Sequence, residues 1–255
     1  MAHSFFIHST GAGPFLWASV PADVTAGTTA HFPSNLGYPP NAPVPRGAKV
    51  TALDDVAHLH ALLPDDGAPV RLYAHSYGGF VALELARRLG ARVESLFLYE
   101  PVLFGALAAT DDGDAAAIAQ AREFLNHAWF LTDDARGGTD PWLEHFIDYW
   151  NKPGSWQRMP KELQDFSRLV GWKMFQEVRS VFFDNQRFDA FAFPGVKLTL
   201  GMGERSPVAS REMARQLARV NPHATLFELS GTGHLAPLTH AAKLHEAMRA
   251  HTRAP

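Results

Sequence analysis

The chain has no cysteine among its 255 residues. Disulfide staples, thiolate metal sites and cysteine nucleophiles are therefore excluded, and the composition fits a reducing compartment. No stretch approaches the roughly 20 apolar residues of a membrane-spanning helix. The opening residues, MAHSFFIHST, carry neither the basic leader nor the long apolar run of a signal peptide. Basic residues are few and scattered: 23 lysines and arginines stand against 26 aspartates and glutamates, for a formal net charge of −3. Nucleic acid is thus not an expected partner, and neither is a membrane. Internal repeats are absent. What remains is 46 % hydrophobic and 19 % charged, enough to bury a large core. The length suits one α/β domain, or one domain carrying an insertion. The expectation is a soluble, cytoplasmic protein acting on a small molecule.

The most informative stretch is residues 70–89, VRLYAHSYGGFVALELARRL. A β-prone run over 70–74 leads directly into His75-Ser76-Tyr77-Gly78-Gly79, and residues 80–89 then carry apolar side chains at helical spacing. A serine in so sharp a strand-to-helix turn sits in a strained conformation, and its neighbours two residues away must be small. Ala74 and Gly78 meet that condition. The pattern is that of a nucleophile elbow, with Ser76 exposed above a sheet and the Tyr77 N–H at the start of a helix, where an oxyanion is favoured. The plainer reading of Ser76 is a helix N-cap.

The rest of the chain alternates strand and helix. Candidate strands lie at 4–8, 28–33, 70–74, 93–99, 196–200 and 225–229, and candidate helices at 15–20, 50–63, 80–89, 211–220 and 241–251. Residues 35–46, with Gly37, Pro39, Pro40, Pro43 and Pro45, form a loop. Such alternation predicts a mostly parallel, doubly wound sheet whose functional groups gather at the carboxyl ends of the strands. The rhythm breaks between 102 and 193, where helices are expected at 114–130, 141–150 and 160–183. Five of the six tryptophans fall there (129, 142, 150, 156 and 172), with Trp17 outside. These rings are expected to build a small core of the insertion's own, and the insertion to act as a lid over an apolar pocket. The expected division is a core of 1–101 with 194–255, and a helical lid of 102–193.

Serine needs a base, and His234 is the best placed of 13 histidines, in the glycine-rich turn Ser230-Gly231-Thr232-Gly233-His234 after the last strand. His58 and His60 lack the spacing of a zinc helix, and His240, His245 and His251 read as surface residues on the last helix. The base in turn needs a carboxylate to fix its tautomer.

The chain resembles the α/β-hydrolase superfamily on residues 74–79, on His8-Ser9-Thr10-Gly11-Ala12-Gly13, and on Gly231-Thr232-Gly233-His234, in the order serine, acid, histidine. The pattern is most similar to small lidded serine hydrolases of the esterase, lactonase and carbon–carbon hydrolase kind. The resemblance implies a fold whose first two strands have no counterpart in this sequence, leaving the sheet shorter at one edge. It places the usual acid at position 206, where this chain has Ser206. Glu100, ending the strand after the elbow helix, is the preferred substitute, and Glu204 the alternative; either could instead form an ordinary ion pair. The implied oxyanion donors are the N–H groups of Tyr77 and Thr10, with Ser9 in place of a usual glycine. The activity implied is hydrolysis of a small carboxylic ester or lactone with an apolar portion, through an acyl-enzyme on Ser76, with no metal and no organic cofactor. Alternatives on the same residues are carbon–carbon hydrolysis, acyl transfer, cofactor-free peroxidation, or ligand binding without catalysis.

Overall fold

Residues 1–253 are described in the computed structural model of the chain. Its strands are β1 (Ala2–Ile7), β2 (Thr28–His31), β3 (Val70–His75), β4 (Val93–Tyr99), β5 (Lys197–Gly203) and β6 (Thr225–Leu229). They form one sheet of order β2-β1-β3-β4-β5-β6 in which every neighbouring pair is parallel. β2 is its edge on one side, so no described strand precedes β1 in the sheet.

Side chains alternate across a strand, so successive apolar residues feed opposite faces. Phe5, Ile7, Leu72, Ala74, Leu96, Leu98, Leu198 and Leu200 point to one face. There they pack with α1 (Ala52–Leu62), α2 (Tyr77–Leu89) and α8 (Val208–Val220). Phe6, Tyr73, Phe97 and Tyr99 point to the other, where they meet Trp17 together with Leu244 and Met248 of α10 (Ala241–Arg253). Strands buried on both faces are the reason these runs are almost wholly apolar.

Between β4 and β5 lie α3 (Phe104–Ala109), α4 (Ala115–Leu125), α5 (Asp140–Trp150), α6 (Ser155–Arg158) and α7 (Lys161–Phe183), with no strand among them. Their aromatic residues do not form a core of their own. Phe104, Phe130, Trp142, Phe175 and Phe182 are continuous with the first face of the sheet. α7, at 23 residues the longest element, runs from this segment down onto α1 and α2.

Two local expectations fail for clear reasons. The helix expected at 15–20 is a single 3₁₀ turn, Pro14–Trp17; Pro21 disfavours helical geometry at Val20. His251 is not a surface residue. It is buried, with Nδ1 2.8 Å from Thr199 Oγ1, because α10 lays its inner stripe on β5. Burial lowers its imidazole to about 3, so the ring is neutral. No described helix is long and apolar enough to cross a membrane. One further helix, α9 (Ala236–Thr239), follows the His234 turn.

Candidate active site

Ser76 stands between the end of β3 and the first turn of α2, with φ 56° and ψ −123°. Among the described residues only Ser76 and Glu100 (φ 48°) combine a positive φ with a side chain. Conformations of this kind cost about 1–3 kcal/mol each and persist only where the surroundings impose them. The surroundings here are tight. A Cβ at Gly78 would lie 2.5 Å from the His8 carbonyl oxygen, and one at Gly79 would lie 2.6 Å from Pro101 Cβ. Only glycine lets α2 start this close to β1 and to the turn after β4. Tyr77 is the first helical residue, so its N–H is among those an α-helix leaves without an intrahelical partner.

His234 reaches this serine from the opposite end of the chain. Its Nε2 is 2.9 Å from Ser76 Oγ and its Nδ1 is 2.6 Å from Glu100 Oε2. All three residues are buried. The turn carrying His234 is held by Tyr99, whose hydroxyl donates to the Gly233 carbonyl at 3.0 Å. His75 Nε2 donates to the His234 carbonyl at 2.8 Å. Burial, with His234 alongside, pushes the His75 imidazole well below its ordinary range, so it holds this position as a neutral donor. The Trp150 indole stacks on the His234 ring, with 3.7 Å between centroids and 21° between planes.

The Glu100 carboxylate is saturated with donors. Oε1 accepts from the Gly203 N–H at 2.6 Å and from the Ser206 hydroxyl; Oε2 accepts from the Ser210 hydroxyl at 2.7 Å and from His234. Burial alone would raise this carboxyl. The hydrogen bond and charge of His234, then Ser206 and Gly203, outweigh that and hold it below its usual value. Glu204 lies elsewhere. It is exposed and accepts from Ser230 Oγ at 2.9 Å and from the Gly231 N–H at 2.6 Å, so it braces the His234 turn without meeting the ring.

Thr10 lies beside Ser76 on the loop after β1. His8 anchors that loop: Nδ1 donates to the Ser9 carbonyl at 2.9 Å and Nε2 accepts from the Asn35 N–H at 2.9 Å. Burial lowers the His8 imidazole to about 4, which suits a ring that must keep one nitrogen unprotonated. The left-handed residue of the loop is Gly11 (φ 70°), so Ser9 needs no glycine-like backbone.

Two cavities meet at Ser76. The smaller, about 380 Å³, is walled by Phe104, Phe124, Phe130, Tyr149, Val181 and Phe182. The larger, about 1000 Å³ including its opening to solvent, is bounded by Phe15, Met159, Leu163, Phe166, Met174 and Leu238. Thr10, Ser76, Phe146 and Trp150 border both, and His234 borders only the larger. No Asp, Glu, Lys or Arg lines either one.

A family model described as the alpha/beta hydrolase family matches residues 5–247. The chain belongs to that family. Solved structures agree on the fold. A hydrolase from Pseudomonas aeruginosa is 16 % identical, with 99 % of this chain and 90 % of that one aligned and a TM-score of 0.71. An enol-lactonase from Burkholderia xenovorans is 14 % identical, with 99 % and 92 % aligned and a TM-score of 0.69. A thermophilic esterase from Thermogutta terrifontis is 16 % identical, with 99 % and 90 % aligned and a TM-score of 0.66. A search of curated protein sequences found no match.

Within this alpha/beta hydrolase, Ser76, His234 and Glu100 come together, with Tyr77 and Thr10 around the serine, and Glu204 does not join them. Sequence reasoning did not find His75, Trp150 or Ser210, nor the donation from Ser206 to Glu100. His75 offered a signal, since the residue before an elbow serine stands at a strand end. Trp150 offered none, because its position above His234 depends on how the helical segment folds back.

Proposed function

We propose that this protein is a serine hydrolase of small, uncharged carboxylic esters or lactones. The observation that carries the reading is the pair of contacts made by one imidazole, 2.9 Å to Ser76 Oγ and 2.6 Å to Glu100 Oε2. A charged Glu100 requires Nδ1 to carry the proton, which leaves Nε2 free to take one from Ser76. As Ser76 Oγ bonds to the acyl carbon, its proton passes to His234 Nε2. The oxyanion is held by the Tyr77 and Thr10 N–H groups. The acyl carbon–oxygen bond then breaks, and the leaving oxygen takes the proton from Nε2. Water repeats the sequence on the acyl-enzyme, giving the acid and restoring Ser76.

The cavities give the substrate a direction. The group that receives a proton from His234 must lie on the side that His234 faces, so the leaving alcohol belongs in the larger cavity and the acyl chain in the smaller. The smaller cavity, closed in by aromatic rings, suits a short acyl chain better than a long one. A carboxylate-bearing substrate would find no cation to meet it, and burying an unpaired charge is costly. The segment 102–193 supplies most of the smaller cavity's wall and half of the larger one's, which supports its role as a lid.

The test is labelling by a fluorophosphonate together with hydrolysis of p-nitrophenyl esters of increasing acyl length. Labelling is expected in the wild type and absent in Ser76→Ala, with kcat/KM highest for the acetate. A folded wild type that neither labels nor hydrolyses any ester through Ser76 would overturn the reading. Ser76-dependent cleavage of a neutral β-diketone in preference to esters would move it to carbon–carbon hydrolysis.

A further inference from the structure

Behind the serine, outside both cavities, lies a group of buried charges that the proposed chemistry does not use. Lys173 Nζ is 2.5 Å from Asp55 Oδ2 and 2.7 Å from Glu177 Oε1, and all three side chains are at most 1 % exposed. Asp55 belongs to α1; Lys173 and Glu177 are one turn apart on α7. Burial alone would discharge the lysine, but the two carboxylates outweigh it and hold its ammonium above the ordinary value. Burial pushes the Glu177 carboxyl up.

Such a cluster is a poor way to gain stability, since apolar residues of similar volume commonly serve as well. What it offers is direction: its remaining hydrogen bonds run to the segments around the serine and to the loop that carries Tyr38. Tyr77 donates its hydroxyl to Asp55 Oδ2 at 2.5 Å. Tyr38 donates to Glu177 Oε2 at 2.8 Å, and the same hydroxyl accepts the Gly11 N–H at 2.9 Å. The Thr10 side chain also bonds to Glu177. Asp55 Oδ1 accepts the Leu36 N–H at 2.8 Å, tying down the loop that carries Tyr38. The N–H groups of Tyr77 and Thr10 are the two assigned above to the oxyanion. Tyr77 is held from behind through its own hydroxyl, and Thr10 through its neighbour Gly11, whose N–H donates to Tyr38; both hydroxyls end on carboxylates that share one ammonium.

We propose that Asp55, Lys173 and Glu177, acting through Tyr38 and Tyr77, are positioning residues that hold the two oxyanion donors in register. Because Lys173 and Glu177 lie on α7, the register is set only when that helix is seated on α1, which couples the wall of the substrate cavity to the readiness of the site. The inference rests on the serine-hydrolase reading of Ser76.

The test uses Tyr38→Phe and Tyr77→Phe, which remove one hydroxyl each and leave every backbone N–H in place. Two quantities are measured per fluorophosphonate-titrated site: kcat and KM for p-nitrophenyl acetate, and the affinity of a trifluoromethyl ketone. That ketone adds to the serine hydroxyl and places a tetrahedral oxyanion in the site. Each variant is expected to lose about tenfold in kcat, keep KM within about twofold, and lose ketone affinity by about the same factor as kcat. Glu177→Gln, which keeps the shape but ends the charge pairing with Lys173, is expected to show the same split. A purely structural role would lower the number of titratable sites or the melting temperature and leave kcat per site unchanged; that result in both tyrosine variants overturns the proposal. Absence of Ser76-dependent labelling in the wild type would remove the hydrolase reading and this inference together. Labelling with unchanged tyrosine variants would remove this inference alone.

Discussion

Replacing Glu100 by glutamine keeps the size of the side chain and reverses the sense of one hydrogen bond. Glu100 accepts from four donors, two at each oxygen. The Ser206 and Ser210 hydroxyls can turn to become acceptors, but the Gly203 N–H cannot. The amide oxygen of the glutamine therefore stays with Gly203, and its NH₂ faces His234. The imidazole must then accept at Nδ1 and carry its proton on Nε2, aimed at Ser76 Oγ 2.9 Å away. A base that already holds its proton cannot take another. The expected loss is about 10⁴ in kcat, or about 5 kcal/mol of transition-state stabilisation. KM should stay within about twofold, because Glu100 lines neither cavity. The assay is steady-state hydrolysis of p-nitrophenyl acetate, normalised to folded protein by circular dichroism. Glu204→Gln is the control and should retain wild-type kcat, since among the described residues that carboxylate hydrogen-bonds to Ser230 and Gly231 and not to His234. If Glu100→Gln keeps more than a tenth of the activity, or if Glu204→Gln is the variant that collapses, the assignment of the acid is wrong.

Two other outcomes are expected. Val181 walls the smaller cavity and is buried, so Val181→Ala should admit one or two more methylenes. The ratio of kcat/KM for butyrate over acetate should rise, at a cost of about 2 kcal/mol in denaturant unfolding; an unchanged ratio would remove the acyl chain from that cavity. His8 has a folded value of about 4 against 6.5, so between those pH values the unfolded chain binds more protons and stability falls as pH is lowered. The contribution is present above pH 6.5 and is lost progressively down to pH 4, amounting to about 3 kcal/mol. His8→Gln, which can still donate to Ser9 and accept from Asn35, should flatten the slope of unfolding free energy over that range; an equal slope would place the ring elsewhere.

What could be read from the sequence was what is local. The elbow is legible because six consecutive residues, 74–79, carry a strand end, a strained serine and the glycines it needs. The parallel, doubly wound sheet follows from alternation, and Glu100 is visible as a carboxylate closing a strand that neighbours β3. Features that depend on distant segments were hidden. Ser206 reads as a missing acid, yet its hydroxyl donates to the carboxylate that takes that place, 106 residues earlier. Lys173 and Glu177 look like the polar side of a long helix, until α7 is laid on α1 and finds Asp55 there. His251 reads as exposed for the opposite reason: nothing in a terminal helix says which of its faces meets the sheet.

The backbone at Ser76 has a consequence for any attempt to harden this protein. A glycine there would adopt φ 56° without penalty, so relief of the turn and removal of the hydroxyl are the same substitution. A search that rewarded heat resistance alone would favour that change early and return a sturdier molecule with nothing left to attack a substrate.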